Sequence, residues 1–397
     1  MDREFIVLRN QRMAEAFHAL PIKHRVRRAA LRVFGHVPIR KGRKSDRQRI
    51  LIMRPDHLGD VLLTTPAIRA LRAAYPDAEI HALVGAWSAD VLANYPEIDM
   101  VLTLPFPGFN RAPKRSLRSP YDLALLTARR LRRLGYESAI IFRPDHWWGA
   151  MVAHWAGIPR RVGYNLPDTG RFLTDAVEHQ HQHVVLQSAR LVERLTGRPT
   201  LDLPLTFPVD PRDRAWVEGY LSEWGLPPDS RLIVIHPGSG TWVKRWTDEH
   251  WADVADTLAD QVGATVVFTG SDHELPLVKS ILAHMRHEAC VMVGDTRVGS
   301  LAALFERASV VMGPDSGPLH LATAVGAPTV ALFGPADPVE FGLWGNPERH
   351  QVLYSTIGCR PCRVLDWRGD DPAFHPCVRD ITVGRVLEAA RRAMQTR

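Results

Sequence analysis

Short runs of β-branched and apolar residues alternate with amphipathic stretches along the chain, and this alternation constrains the fold more than any other feature. The first series is ILIMR (50–54), EIHALVG (79–85), MVLTLP (100–105) and SAIIF (138–142), with a helix predicted from about Val61 to Tyr75. The second is LIVIH (232–236), TVVFTG (265–270), CVMVG (290–294), SVVMG (309–313) and TVALFG (329–334). Strands this uniformly apolar are typical of parallel sheets covered by helices. The pattern predicts an α/β protein with two doubly wound parallel sheets.

A proline-rich passage, LDLPLTFPVDPRD (201–213), separates the two series. We therefore predict an N-terminal domain over 50–208 and a C-terminal domain over 209–380, closed by a helix over 381–397. The chain of 397 residues is long enough for two separate cores. A further stretch, 105–121, is rich in Pro, Gly and Arg and is predicted to be a functional loop.

The positive charge of the chain is concentrated in an extension over 1–49. This segment has 14 Lys and Arg against 4 Asp and Glu, or +10, whereas the rest has 36 basic and 39 acidic residues, or −3. The folded body is therefore not expected to bind nucleic acid. Residues 17–37 have the composition of a basic amphipathic helix that can lie on anionic lipid. A solvated tail or a helix packed on the body is an equally good interpretation.

The composition favours a cytoplasmic protein. No run of 18 or more apolar residues suggests a membrane span, and the first residues do not have the pattern of a secretory signal. Four cysteines are too few for a disulfide scaffold in a chain of this length, so we expect a reducing compartment.

The first chemical motif follows the strand ILIMR, in the sequence PDHLGDVLL. It places His57 and Asp60 at the carboxyl end of a strand and the start of a helix. Ligands bind at this edge of open α/β sheets. Asp is also a common helix cap, and the spacing alone gives the two roles similar weight.

Two strand ends of the second series carry segments suited to phosphate and ribose. The turn HPGSGTWVKRW offers backbone N–H groups near Ser239 and Thr241 and a cation at Lys244, without the spacing of a Walker A loop. The segment SDHE places Glu274 where its carboxylate can accept hydrogen bonds from ribose hydroxyls. Stabilisation of a helix N-terminus is the alternative role for Glu274.

A third strand end, GPDSGPLH, leads directly into a helix. The segment Asp315 to His320 lies at the start of this helix, whose free N–H groups can bind an anion. We expect the backbone N–H groups of Ser316 to Leu319 to hold a diphosphate.

Taken in this order, the motifs make the chain similar to glycosyltransferase family 9, the bacterial ADP-heptose:lipopolysaccharide heptosyltransferases and their relatives. The resemblance runs from about residue 50 to the end and also includes AGIPRRVGY (156–164) and GDTRVGSLAALFERASVVMGPDSGPLHLATAVGAPTVALFGPADP (294–338). It implies a GT-B fold, in which two Rossmann-like domains face a central cleft. The N-terminal domain would bind the acceptor and the C-terminal domain the nucleotide-sugar.

The resemblance also implies roles for individual residues. Asp60 corresponds to the catalytic base of an inverting transfer, Lys244 to a phosphate-contacting lysine and Glu274 to a ribose-binding acid. The predicted donor-binding set is completed by Ser239, Thr241, Asp315, Ser316, Gly317, Pro318, Leu319 and His320. Because a lysine and a helix terminus can neutralise the diphosphate, we expect transfer without a metal ion or cofactor, with ADP-heptose as the donor.

Basic side chains are predicted to receive an acceptor such as a phosphorylated lipopolysaccharide core, although a solvated loop explains the loop residues equally well. These predicted acceptor contacts are His57, Arg111, Lys114, Arg115, Arg118 and Arg143. A lipid-linked acceptor and the basic extension together suggest peripheral contact with the cytoplasmic face of the inner membrane.

The cysteine-rich segment IGCRPCRVLDWRGDDPAFHPCVRDI (357–381) allows two interpretations. Reduced, buried thiols are favoured over a structural zinc site, because the pattern has only three cysteines with a histidine. The residues concerned are Cys359, Cys362, His375 and Cys377. For the whole chain, the alternatives to a transferase are a nucleotide-sugar epimerase or hydrolase and a non-catalytic, membrane-associated nucleotide-sugar-binding protein.

Overall fold

The computed structural model describes residues 2–19, 27–29, 31–32, 34–35, 39, 45–110, 116, 118–201, 203–367 and 370–396. The chain divides into two compact units. The first unit is Leu20–Leu203, and the second is Pro204–Arg397 together with Met1–Ala19. Helix α1 (Arg3–His18) therefore belongs to the second unit. None of the described helices is long and apolar enough to cross a membrane.

The first unit contains a sheet of six parallel strands in the order β3-β2-β1-β4-β5-β6. The strands are β1 (Arg49–Arg54), β2 (Glu79–Val84), β3 (Met100–Thr103), β4 (Ser138–Ile141), β5 (Arg160–Tyr164) and β6 (Asp175–Val177). The described helices are α2 (Leu58–Leu62), α3 (Thr65–Ala74), α4 (Ala89–Leu92), α5 (Ser119–Leu134), α6 (Trp147–Trp155) and α7 (Val184–Thr196).

The second unit repeats this plan with six parallel strands in the order β12-β11-β10-β7-β8-β9. The strands are β7 (Leu232–Ile235), β8 (Thr265–Gly270), β9 (Cys290–Val293), β10 (Val310–Pro314), β11 (Thr329–Phe333) and β12 (His350–Tyr354). Besides α1, the described helices are α8 (Pro211–Glu223), α9 (Asp248–Val262), α10 (Leu275–Leu282), α11 (Val298–Arg307), α12 (Gly317–Ala324), α13 (Pro338–Phe341) and α14 (Val383–Gln395).

Both sheets have the strand order 3-2-1-4-5-6 of the Rossmann type when the strands are numbered within each unit. The order reverses between β1 and β4 in the first unit and between β7 and β10 in the second. Ligands bind at such reversals, outside the carboxyl ends of the strands. The predicted α/β class with two doubly wound parallel sheets is confirmed.

The sequence pattern missed several local features. The helix predicted over 61–75 is interrupted at Thr64, because Pro66 has no N–H and occupies the first turn of a new helix, α3. Strands β5, β6 and β12 were not predicted as strands. β6 and β12 are edge strands with polar residues, and β5 begins with two arginines, so all three lack the uniform apolar runs of the central strands.

The basic extension over 1–49 is divided between the two units rather than forming a segment of its own. Its first part is α1, whose Ile6 lies in the core of the second unit. The basic helix predicted over 17–37 lies largely outside the described residues. Within that range, Arg27 and Arg28 pair with Asp168 at 3.2 Å and 2.7 Å, and Leu31 is buried in the core of the first unit.

Candidate active site

The strand reversal of the first unit collects charged groups from two loops that are distant in sequence. Asp56 and Asp60 follow β1, whereas Arg143 and His146 follow the adjacent strand β4. Parallel strands end at the same edge of a sheet, so these loops meet there. Of the residues predicted at this edge, the structure therefore brings Asp60 and Arg143 into one charged cluster.

Arg54, the last residue of β1, is shared between two carboxylates. Its Nε lies 2.8 Å from Asp56 Oδ2, and its Nη2 donates a hydrogen bond of 3.1 Å to Asp60 Oδ1. Arg143 Nη1 donates to the other oxygen of Asp56. The side chains of Arg54 and Asp56 are buried, whereas that of Asp60 is 33% exposed. Asp60 is therefore the carboxylate of this cluster that an incoming molecule can reach.

The position of Asp60 differs from that of a helix cap. The N-cap residue of α2 is His57, and Asp60 lies in the first helical turn with its carboxylate directed to Arg54. A negative charge in the first turn still interacts favourably with the helix dipole. Helix capping thus does not account for this aspartate.

The surroundings shift the pKa values of Asp60 and Asp56 in opposite directions. Although the Asp60 side chain is one-third exposed, desolvation by the surrounding protein and the neighbouring Asp56 carboxylate raise its pKa, against the opposing effect of Arg54 and Arg143. Burial also opposes ionisation of Asp56, but the Arg54 and Arg143 guanidiniums outweigh it and lower its pKa. Pairs of acids whose environments separate their pKa values are typical of acid–base sites. Asp60 is the better proton acceptor of the two.

His146 is a buried neighbour of this cluster that the sequence did not reveal. Its ring lies 5.3 Å from the Phe106 ring and stacks at 6.3 Å on Trp148, and neither ring nitrogen has a hydrogen-bond partner among the described residues. Burial lowers its pKa to about 4, so the ring is neutral near neutral pH. It contributes a polar but uncharged wall to the loop after β4.

The other predicted acceptor contacts are not gathered into the cluster. His57 is exposed with its ring centroid 5.7 Å from that of Trp87, and Arg118 is an exposed residue preceding α5. Arg111, Lys114 and Arg115 lie outside the described residues. Arg54, Asp56 and His146 were not predicted as site residues. Arg54 and Asp56 flank a proline directly after a buried strand, and this pattern could have identified them.

The strand reversal of the second unit has a simpler charge arrangement. Lys244, in a short 3₁₀ helix (Trp242–Lys244), donates to Asp315 Oδ2 at 2.6 Å and to the Asp315 carbonyl at 3.3 Å. Both side chains are largely buried. Lys244 follows β7 and Asp315 follows β10, so the pair spans the reversal. Lys244 thus places a cation beside Asp315, the first residue of the segment predicted to bind the diphosphate.

Helix α12 begins beside this pair, and its first turn corrects one prediction. Pro318 has no N–H, and the N–H of Leu319 already donates to the Ser316 carbonyl at 3.2 Å. Of the backbone groups predicted to hold a diphosphate, Ser316 and Gly317 are those left to donate. Buried His320 follows in the next turn.

Two buried hydroxyl groups, one at the start of α12 and one just before the 3₁₀ helix of Lys244, lack hydrogen-bond partners among the described residues. The Oγ of Ser316 and the Oγ1 of Thr241 have no hydrogen-bond partner among the described residues, and Ser316 makes no capping bond to α12. Buried hydroxyls are normally hydrogen-bonded, so unpartnered ones require an explanation. A bound anion would supply acceptors to both. Close approach of the two loops also requires glycine at 313, where a Cβ would lie 2.4 Å from the His236 carbonyl oxygen.

The remaining predicted donor residues make local contacts. Ser239 Oγ donates to the Thr241 carbonyl at 3.2 Å. Glu274 Oε2 accepts from the N–H and Oγ of Ser271 at 2.8 Å and 2.9 Å, which is the helix-start role left open by the sequence. The Glu274 carboxylate also lies against Gly238, in the turn predicted to bind phosphate. A contact between Glu274 and ribose stays a prediction.

The cysteine-rich segment is not arranged around a common ion in this structure. No three of the four residues Cys359, Cys362, His375 and Cys377 bring their ligand atoms within 4.8 Å of one another. His375 Nε2 instead contacts Asp370 Oδ2 at 2.8 Å. Burial raises the pKa of Cys377 to about 12, which favours the protonated thiol. A structural metal would require these side chains to move.

Two Rossmann-type units, each with charged side chains at its strand reversal, have the GT-B fold class that the motifs predicted. The sequence profile of Glycosyltransferase family 9 (heptosyltransferase) matches residues 125–368, and the chain belongs to this family. Lipopolysaccharide heptosyltransferase 2 of Escherichia coli strain K12 is 27% identical over 359 residues, which cover 86% of this chain and 97% of that protein.

Solved structures show the same fold. The glycosyl transferase family 9 protein from Veillonella parvula DSM 2008 has a TM-score of 0.73 at 24% identity, covering 90% of this chain and 99% of its own. The E. coli ADP-heptose lps heptosyltransferase II has a TM-score of 0.67 at 23% identity, covering 88% and 99%. The resemblance stated from the motifs and the predicted GT-B fold class are confirmed.

Proposed function

We propose that the protein is an inverting glycosyltransferase that moves heptose from ADP-heptose to a saccharide of the lipopolysaccharide core. The observation that carries the proposal is that the pKa of Asp60 is raised while the pKa of Asp56 is lowered. The accessible carboxylate at the strand reversal of the first unit is therefore the more basic one. The names of the relatives support the donor and the acceptor class.

Asp60 acts as the general base. It removes the proton of the acceptor hydroxyl while the hydroxyl oxygen attacks the anomeric carbon of the heptose. The bond between that carbon and the diphosphate oxygen breaks, ADP leaves with the electron pair, and the anomeric configuration inverts. A carboxylate with a raised pKa is a stronger base than an ordinary aspartate, and partial exposure lets the hydroxyl approach.

Asp56 keeps that base available. Asp56 pairs with both Arg54 and Arg143, so the positive charge of Arg54 is shared between Asp56 and Asp60. The Arg54 bond still fixes the orientation of the Asp60 carboxylate. Asp56 and Arg54 are thus positioning residues, because neither needs to contact the acceptor.

Lys244 stabilises the leaving diphosphate. In the present structure its ammonium group is paired with Asp315, and a bound phosphate would share that cation. The N–H groups of Ser316 and Gly317 and the unpartnered hydroxyls of Ser316 and Thr241 provide further donors. With this set of donors we expect the reaction to need neither a metal ion nor a cofactor. Glu274 and His320 complete the proposed donor site.

An anionic acceptor would be received by basic groups of the first unit. Arg143 is partly exposed beside Asp60's cluster, and His57 and Arg118 are exposed. We include Arg111, Lys114 and Arg115 in the proposed acceptor site because of their positive charge. Since the acceptor is lipid-linked, we place the enzyme in the cytoplasm, in peripheral contact with the inner membrane.

The test is transfer of heptose from ADP-heptose to a heptose-deficient core acceptor by wild type and Asp60→Asn. We expect Asp60→Asn to lose roughly 10²- to 10⁴-fold in kcat with donor affinity unchanged, because only the base is removed. Asp90→Asn, an exposed acid on the neighbouring helix α4, serves as the matched control. Full activity of Asp60→Asn would exclude it as the base, and product formed without acceptor would favour an epimerase or hydrolase.

A further inference from the structure

Helix α5 of the first unit is attached to the core through one complete face. Its buried residues are Ala124, Thr127, Ala128 and Leu131, and all but Thr127 lie in an apolar core cluster of that unit. Residues spaced three and four apart form the buried stripe that an amphipathic surface helix needs. Apolar side chains on the opposite face of α5 therefore do not contribute to its attachment.

Two consecutive leucines lie on that opposite face. Leu125 and Leu126 are 45% and 63% exposed, and Leu126 is the most exposed large apolar residue of the described helices. Single exposed apolar residues are common on soluble proteins, so the leucines alone do not identify a partner. The charges around them supply that information.

Three arginines share this face with the leucines. Arg129, Arg130 and Arg133 are exposed and follow Leu125 and Leu126 at helical spacings of three and four residues. None of the three guanidiniums pairs with a carboxylate among the residues that the structure describes. The exposed face of α5 thus combines apolar side chains with cations that are not neutralised.

The inward-facing arginine of the same helix is bound differently. Arg132 donates to the carbonyl of Ala156 at 3.4 Å and to the carbonyl of Trp155, so its side chain is held within the unit. The only acid of α5 is Asp122, which is exposed in the first turn. Three unpaired positive charges therefore face the solvent with one negative charge, and an anionic partner is complementary to them.

The position of this face beside the proposed acceptor site favours a lipid bilayer as that partner. Arg118, one of the predicted acceptor contacts, is exposed and immediately precedes α5. The Pro120 carbonyl in the first turn accepts a hydrogen bond of 2.8 Å from Trp148 Nε1, which fixes the start of α5 beside the helix that follows the Arg143 loop. A soluble anion would engage the arginines but not the leucines, whereas a bilayer with acidic headgroups binds both kinds of side chain.

We propose that the exposed face of α5, formed by Leu125, Leu126, Arg129, Arg130 and Arg133, is a docking surface for a bilayer that contains anionic lipid. The leucines enter the boundary between headgroups and acyl chains, and the guanidiniums bind acidic headgroups. The inference rests on the peripheral location proposed above and assigns it to the unit that contains the proposed base. It differs from the sequence prediction, which assigned lipid contact to residues 17–37.

The experiment measures binding of the full chain to vesicles of phosphatidylcholine alone and of phosphatidylcholine mixed with phosphatidylglycerol. We expect binding to the mixed vesicles only. Leu125→Ser/Leu126→Ser loses apolar contact with the bilayer and Arg129→Gln/Arg133→Gln loses attraction to the headgroups, so each should lower the apparent affinity about tenfold or more. Melting temperatures verify the fold, and the arginine variant changes only exposed polar side chains, so it tests the proposal independently of the leucine variant.

Two control variants match these changes elsewhere on the surface. Phe5→Ser/Leu8→Ser removes exposed apolar side chains from α1, and Arg198→Gln/Arg212→Gln removes two exposed guanidiniums. Both are expected to bind the mixed vesicles like wild type. Added salt should weaken binding of wild type more than binding of the α5 arginine variant, because salt screens the attraction between charges.

Wild-type affinity of either folded α5 variant for the mixed vesicles would overturn the assignment to α5, as would an equal loss in the control variants. Equal binding to uncharged vesicles would overturn the anionic bilayer as the partner. Absence of vesicle binding by wild type would refute the peripheral location itself. A wild-type dimer that the α5 variants convert to monomer, detected by sedimentation without lipid, would identify a second copy as the occupant and overturn the proposal.

Heptose transfer to a soluble core acceptor tests the proposed function separately. Its rate and KM are expected to be unchanged in both α5 variants, because a soluble acceptor needs no bilayer. A raised KM for this acceptor in Arg129→Gln/Arg133→Gln, with vesicle binding intact, would assign the arginines to acceptor binding and overturn the proposal. Failure of wild type to transfer heptose would refute the proposed function and leave the vesicle result unaffected.

Discussion

The two units share a strand order but differ in what their strand reversals contain. The reversal of the first unit gathers four charged groups, Arg54, Asp56, Asp60 and Arg143, whereas that of the second has one pair, Lys244 and Asp315. The four charges of the first unit set the pKa of Asp60. The second unit offers hydrogen-bond donors and the Lys244 cation to an anion. In the proposed mechanism, the same backbone position therefore serves proton transfer in one unit and anion stabilisation in the other.

After Asp60→Asn, the largest expected effect tests the anion role of the second unit. Lys244→Met should lower kcat by roughly 10²- to 10³-fold, because the departing diphosphate loses its cation. Steady-state kinetics with varied ADP-heptose measures the effect. Lys279→Met, an exposed lysine on α10, is the control and should behave as wild type. A rise in KM with unchanged kcat would show that Lys244 only binds the donor.

A smaller effect, in pH dependence, tests the proton role of the first unit. Asp60 must be ionised to act as a base, so wild-type kcat/KM should fall as the pH drops through its raised pKa. Asp56→Asn removes a like charge and leaves Arg54 to Asp60, so the pKa of Asp60 falls. The acidic limb of the pH profile should then move to lower pH by about one unit, with roughly tenfold lower activity on the plateau.

Asp145→Asn is the matched control for that profile, because Asp145 is the exposed second partner of Arg143. It should leave the acidic limb in place. Melting temperatures separate loss of fold from altered basicity, since removal of one partner from a buried ion pair is destabilising. An acidic limb of Asp56→Asn that coincides with wild type would contradict the positioning role.

The smallest effect concerns the unpartnered hydroxyl of Ser316. Ser316→Ala should change the free energy of unfolding of the unliganded protein by less than about 0.5 kcal/mol, because the hydroxyl makes no bond there. Affinity for ADP should fall a few-fold, as expected for a hydrogen bond of about 0.5–1.5 kcal/mol. Denaturation and calorimetric titration measure the two quantities.

Thr323→Val in the same helix gives the opposite expectation, because the Thr323 hydroxyl already donates to the Leu319 carbonyl at 2.9 Å. This variant should lose stability and keep ADP affinity. If Ser316→Ala followed the Thr323 pattern, the Ser316 hydroxyl would have a structural role and no donor contact.

The central strands and the position of Asp60 were predictable because both depend on local sequence. An apolar run shows a buried strand wherever it occurs, and a polar turn after it marks the ligand edge. The environment of Asp60 was not predictable, since Arg143 reaches Asp56 from 87 residues away. The prediction of a backbone N–H contact at Pro318 was wrong for a different reason: proline has no N–H, and the sequence alone shows this.

Helix α1 escaped prediction for a physical reason as well. Its attachment depends on Ile6, a buried Asn10 and ion pairs, whereas Phe5, Leu8, Met13 and Phe17 are exposed. A method that assigns helices by a continuous apolar stripe has little to recognise there.

The attachment of α1 also orders events during synthesis. Residues Arg9 and Asn10 of the helix are translated 361 and 364 residues ahead of their partners Asp370 and Phe374. The first unit is complete at Leu203 and can fold while translation continues, because domains generally fold as units during synthesis. The second unit must wait for the segment that α1 contacts, and until then Ile6 is unburied on the nascent polypeptide.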